Sequence, residues 1–167
     1  MTRIGLISDT HGWLDEQVTQ YFESCDEVWH AGDFGNFELA QELANRTQLL
    51  VRGVWGNIDG YDVRSMFPEE LCFECEEVKV FIKHIGGYPG RYAPGVKQKL
   101  VSNKAKLFIS GHSHIVKVQF DPTIQCLHMN PGAAGKQGWH KVRTIMRFHI
   151  DGSEIKNCEL IELGKRG

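Results

Sequence analysis

Short apolar runs that stop on polar loops fill the first third of the chain. Residues 3–8 read as a buried strand opening onto Asp9-Thr10-His11-Gly12. Residues 14–22 bring Leu14, Val18, Tyr21 and Phe22 to one side of a helix, and residues 27–31 predict a second strand halted by Gly32-Asp33. Helical spacing returns over residues 37–44, and residues 48–54 predict a third strand before Gly56-Asn57. Strands alternating with helices pair in parallel and gather ligands at their carboxyl ends, so Asp9, Asp33 and Asn57 are expected to converge.

After residue 70 the pattern turns mainly extended, with strands predicted over residues 71–76, 78–84, 107–110, 115–120, 124–129 and 142–150. Residues 86–95, rich in Gly and Pro, predict a loop, and residues 96–102 a short helix. No repeat or linker divides the chain, and 167 residues suit one domain, residues 1–167.

Composition narrows the function. A share of 41% hydrophobic and 24% charged residues is that of a globular protein. The net charge of -2 offers no global basic field, so strong nucleic-acid binding is not expected. No apolar stretch approaches the ~18 residues of a membrane span and no secretory h-region opens the chain, which predicts a cytoplasmic protein without a membrane partner. The five cysteines are odd in number and irregular in spacing, as reduced thiols are. Cys72-x-x-Cys75 lacks the second pair a zinc ribbon needs and is read as structural.

The remaining chemistry sits at strand ends. Alternate residues of an extended segment face the same way, about 6.6 Å apart, so Asp9 and His11 are expected to reach one ion together. The same period turns His112 and His114 of Gly111-His112-Ser113-His114 to one side, each toward one of two cations about 3.5–4 Å apart, with Asp33 the candidate bridge. A lone Asp-x-His is usually a turn; two histidines, two aspartate segments, a Gly-Asn and His84 together point to a metal centre.

In this ordered set the sequence resembles the calcineurin-like metallophosphoesterase superfamily, and within it the small bacterial and archaeal phosphodiesterases of the YfcE type. The motifs are Asp9-Thr10-His11-Gly12, Gly32-Asp33, Gly56-Asn57-Ile58-Asp59, His84 and Gly111-His112-Ser113-His114. The resemblance implies an α/β fold, a four-layer α/β/β/α sandwich with two mixed β-sheets. It implies one metal on Asp9, His11, Asp33 and His114 and a second on Asp33, Asn57, His84 and His112. The activity implied is two-metal hydrolysis of a small phosphate ester, most simply a phosphodiester, through a metal-bridging hydroxide. Asp33, Asn57, Asp59 and His84 are the expected catalytic residues. Imidazole, amide and carboxylate ligands without thiolate suit Mn²⁺, Fe, Ni²⁺ or Zn²⁺ without choosing among them, and the resemblance implies Mn²⁺ first.

Two positions depart from the family. Ile58 stands where larger relatives carry a histidine that protonates the leaving group, and His84 is followed by Ile85-Gly86-Gly87 in place of a single Gly. His30 falls off the ligand alternation and is expected in the core. Trp13, Arg91, Tyr92 and Trp139 lie in or near loops able to border the cleft, with an ordinary surface or core role the commoner reading for each, and Asn130-Pro131-Gly132-Ala133 is read as a structural turn. The competing expectation is a non-catalytic protein-binding scaffold resembling vacuolar protein sorting 29 of retromer. His11 is the discriminator, because a scaffold has no physical need for that imidazole. Substrate identity stays open, as does a homo-oligomer.

Overall fold

The computed structural model describes residues 1–167. Strands β1 (Thr2–Ile7), β2 (Glu27–His30) and β3 (Leu50–Gly53) pair in parallel, with α1 (Gln17–Phe22) and α2 (Phe37–Thr47) as the crossovers. A short α3 (Tyr61–Arg64) follows. The second half supplies β4 (Glu70–Cys75), β5 (Val78–Lys83), the small hairpin β6 (Gly87–Tyr88) and β7 (Arg91–Tyr92), α4 (Val96–Ser102), β8 (Leu107–Ile109), β9 (Lys117–Asp121) and β10 (Cys126–Asn130). The chain then returns through β11 (Val142–Asp151) and β12 (Glu154–Lys165).

Two five-stranded mixed sheets result, ordered β12-β11-β1-β2-β3 and β4-β5-β8-β10-β9. Ile4, Leu6 and Trp29 of the first sheet pack against Val80, Ile82, Leu107 and Met129 of the second. On the outer face of the first sheet, Ile7, Val28 and Ile145 meet Val18 and Phe22 of α1 and Leu39 and Leu43 of α2. Outside the second sheet, Phe81, Phe108 and Cys126 cover Val96 and Leu100 of α4. The layers are therefore α/β/β/α, as the resemblance implied.

The expected elements form with shifted ends. The first helix starts at Gln17 because Asp15 accepts the Gln17 N–H (2.8 Å) and pairs with Arg143, which keeps the preceding residues out of the helix. The loop of residues 86–95 folds its middle into β6 and β7. The pattern assigns nothing after residue 150, yet β12 is the longest strand. Its alternation is broken by a register shift opposite Arg147 and His149, where Asn157 takes a left-handed φ of 57°. Cys72 is exposed and Cys75 buried, and all five cysteines are free.

Candidate metal centre

The carboxyl ends of β1, β2, β3, β5 and β8 meet at one rim, and each ends in a loop that carries a polar side chain inward. These loops are not extended. Asp9, His11, Asp33, His112 and His114 have φ of 54°, 48°, 59°, 70° and 61°. The two-residue strand period therefore does not explain why Asp9 joins His11 or His112 joins His114: each strand stops first, at Ile7 and Ile109, and left-handed turns aim the side chains. Non-glycine residues in this region are strained and gather at functional sites.

The turns are held by buried polar contacts. The Asp9 N–H donates to Gly32 O (3.0 Å) and the His11 N–H to Asp33 O (3.1 Å), lacing the two loops. Beneath them His30 is fully buried and stacked on Phe34, with centroids 3.7 Å apart. Its Nδ1 accepts the Gly32 N–H (3.1 Å), so the proton sits on Nε2 and points at Thr10 Oγ1 (3.0 Å). Burial holds this imidazole down to about 3, so it stays neutral. Gly56 is required by close approach, because a Cβ there would collide with the Asp33 carboxylate.

The expected ligands come together in two sets, Asp9 with His11 and His114, and Asp33 with His84 and His112, each set having its ligand atoms within 4.8 Å of one another. Asp33 Oδ2 lies 3.3 Å from His11 Nε2 and 3.1 Å from His84 Nε2, between the sets. Asn57 Oδ1 is 3.1 Å from His84 Nε2 and 3.0 Å from His112 Nδ1. Asp9 Oδ2 accepts from Ser8 Oγ (2.6 Å) and the His112 N–H (3.2 Å), leaving Oδ1 facing His114 Nε2 at 3.1 Å.

Proton placement fixes which ring nitrogens turn toward the carboxylates. His84 Nδ1 donates to Ala31 O (2.7 Å), which leaves Nε2 of the neutral ring with a lone pair aimed at Asp33 and Asn57 oxygens. His140 Nε2 donates to Gly135 O (2.8 Å), so its Nδ1 accepts from His114 Nδ1 (3.1 Å), and His114 Nε2 likewise turns a lone pair on Asp9. His11 Nε2 is buried with no hydrogen-bond partner at all. Acceptors facing acceptors require a positive charge between them. Protons are one source: the Asp33 and Asp9 carboxylates raise His11 to about 9, and they also raise His84 despite its burial. Divalent cations are the other, and an imidazole-carboxylate-amide donor set fits them.

Both carboxylates stay ionised. Burial opposes ionisation at Asp9 and Asp33, but the surrounding imidazoles outweigh it and hold each carboxyl below the usual range.

Asp59 lies apart from these atoms. It is buried, and its carboxylate accepts the N–H groups of Phe34 (3.2 Å), Gly35 (2.8 Å) and Gly56 (2.8 Å). It therefore ties the Asp33 loop to the Asn57 loop, a positioning contact. Ile58 donates its N–H to Asp33 Oδ1 (3.0 Å) while its side chain is exposed at the rim.

A match to the calcineurin-like phosphoesterase superfamily domain covers residues 2–153. The chain belongs to the calcineurin-like phosphoesterase superfamily. Among solved structures, an archaeal phosphodiesterase is 22% identical, with a TM-score of 0.75 and 96% of this chain and 99% of that one covered. A predicted phosphoesterase of Streptococcus pneumoniae is also 22% identical, with a TM-score of 0.72 over 96% of this chain and 89% of the other. Vps29 of Entamoeba histolytica, complexed with Zn²⁺, is 17% identical, with a TM-score of 0.71 over 96% and 98%. At these identities the likeness is one of fold. No curated protein matches the sequence.

Other residues support the centre without touching its ligand atoms. Asn130 donates from Nδ2 to Gly111 O (3.1 Å) and Ser113 Oγ (3.2 Å), bracing the loop that carries His112 and His114. His140 lies in a loop 26 residues from His114, where no local motif marks it for the site. Trp13 lies beneath Lys136 Nζ (4.1 Å) and the Arg143 guanidinium (4.8 Å), Tyr92 donates to Asp121 (2.7 Å), and Trp139 is exposed.

Proposed function

We propose that this chain is a metal-dependent phosphodiesterase that hydrolyses a small phosphate ester at the centre just described. The observation that carries the reading is the confrontation of acceptors: lone pairs on His84 and His114 aimed at ionised carboxylates, with His11 Nε2 buried and unpaired beside them. Asp9, His11, Asp33 and His114 would hold one ion, and Asp33, Asn57, His84 and His112 the other. Divalent cations, Mn²⁺ first and Fe, Ni²⁺ or Zn²⁺ as alternatives, supply Lewis acidity toward the phosphoryl oxygens and a water acidic enough to attack phosphorus near neutral pH. Asp9 and Asp33 contribute -2 against the +4 of such a pair, leaving a positive site that draws in a phosphate anion. Ala31 and His140 fix the ring tautomers, and Asp59 and the Ile58 N–H fix Asp33, so the ligand atoms are positioned before substrate arrives.

The test is hydrolysis of bis-p-nitrophenyl phosphate beside p-nitrophenyl phosphate, with Mn²⁺ and after chelation. The diester should be cleaved faster, and only with metal; equal rates with and without chelation would overturn the reading. A second reading, a protein-binding scaffold, is supported by the likeness to Vps29 and by Trp139 and Tyr61, 98% and 87% exposed. Metal bound at both sets without turnover of any ester would favour it.

A further inference from the structure

Beside the metal centre lies a cavity of about 420 Å³, within the range of small-molecule sites. His112 belongs to both. The cavity is otherwise shaped by Ile85, Tyr88, Arg91, Ile115, Lys117 and His128. Ile85 and Ile115, each directly after a candidate ligand histidine, are 45% and 63% exposed. Tyr88 is also exposed, with Lys117 Nζ 4.4 Å from its ring centroid, and neither Lys117 nor Arg91 pairs with a carboxylate.

His128 is buried, as are Ser110 and Asn130 in the same lining, but those two place their side-chain polar atoms in hydrogen bonds within the protein. His128 Nδ1 donates to Phe108 O (3.1 Å), so Nε2 carries a lone pair, and no group in the protein satisfies it. Burial holds the ring down to about 4, so at neutral pH it is an acceptor only. The cavity thus combines an aromatic face, two β-branched apolar walls, unpaired cations and, on an otherwise buried ring, one acceptor that nothing in the protein pairs.

We infer that this cavity seats the nucleoside of a nucleotide phosphodiester whose phosphate occupies the metal centre, with the base against Tyr88, Ile85 and Ile115 and a base N–H donating to His128 Nε2. The inference rests on the phosphodiesterase reading of that centre. An alkyl chain would cover the apolar walls but leave His128 unpaired away from water, which is costly. A bare sugar phosphate would leave the aromatic and apolar walls uncovered. A nucleobase satisfies both demands, since bases stack on aromatic rings and each natural base offers an N–H. The cavity therefore reads the presence of a base without fixing which one.

The experiment is calorimetry on Mn²⁺-loaded protein with adenosine 5′-monophosphate, ribose 5-phosphate and octyl phosphate, all sharing a terminal phosphate. The nucleotide should bind at least roughly tenfold more tightly than ribose 5-phosphate, and more tightly than octyl phosphate. Tyr88→Ala and His128→Phe should each shrink the nucleotide-to-ribose-phosphate ratio several-fold, whereas a general loss of structure would weaken both ligands and leave the ratio. A wild-type ratio near one, tighter binding of octyl phosphate, or a ratio unmoved in both variants would overturn the inference. The readout needs no turnover, so an intact ratio without ester hydrolysis would support the subsite and count against the phosphodiesterase reading alone.

Discussion

His140 and His114 face each other through their Nδ1 atoms, 3.1 Å apart, with ring planes at 80°. Because His140 spends its only proton on Gly135 O, it must receive the proton of His114, and that choice frees His114 Nε2 toward Asp9. Gly138 makes the approach feasible, since a Cβ there would run into the His114 ring. His140→Phe keeps a ring of similar size and removes the acceptor. It should weaken Mn²⁺ binding at the Asp9, His11 and His114 set by about 10–100-fold, read by calorimetric titration. Unchanged affinity would show that His140 only fills space.

Asp59 separates a positioning role from an acid role. Asp59→Ala strips the acceptor from three backbone N–H groups, and charge-assisted hydrogen bonds are worth about 1.5–3 kcal/mol each, partly recovered by water. The expected loss is about 3 kcal/mol of unfolding free energy, measured by denaturant titration of metal-free protein. A residue acting only as a leaving-group acid would cost rate and leave stability intact.

Burial of His30 and His128 predicts acid sensitivity. Their folded values, about 3 and about 4, lie below the unfolded value of ~6.5, so under that pH the unfolded chain takes up protons that the folded one refuses. The stability they contribute is complete above pH ~6.5 and is lost as pH falls toward 4, at about 1.4 kcal/mol per pH unit from each. His112 and His140 are lowered too, first by burial, and act with the same sign. Unfolding free energy of the metal-free protein, followed from pH 6.5 to 4.5, should fall, and His128→Phe should flatten the slope. A flat wild-type profile would contradict these assignments.

Much of the fold and of the site was legible, for unequal reasons. Apolar runs ending in Gly-Asp, Gly-Asn or Asp-x-His mark strand ends because buried strands need apolar side chains and ligands must leave the sheet. That logic located Asp9, Asp33 and Asn57. The backbone geometry carrying them is not legible there, since an extended loop and a left-handed one have the same sequence spacing, and only the structure reveals the positive φ at Asp9 or His112. β12 is hidden from the pattern because the irregular register at Asn157 interrupts its alternation. His140 and His128 act through contacts 26 and 20 residues away in sequence, which no local pattern records.

The proposed activity depends on two ions bridged by Asp33. The direct measurement is a titration of chelated protein with Mn²⁺, in which bound ions and hydrolysis of bis-p-nitrophenyl phosphate are determined on the same samples. Hydrolysis should be absent without metal, two ions should bind per chain, and activity should rise with the second. Asp33→Asn should cost more activity than the 10–100-fold typical of residues that merely support a ligand. Turnover in the metal-free sample, or full activity with fewer than two ions bound, would contradict the account.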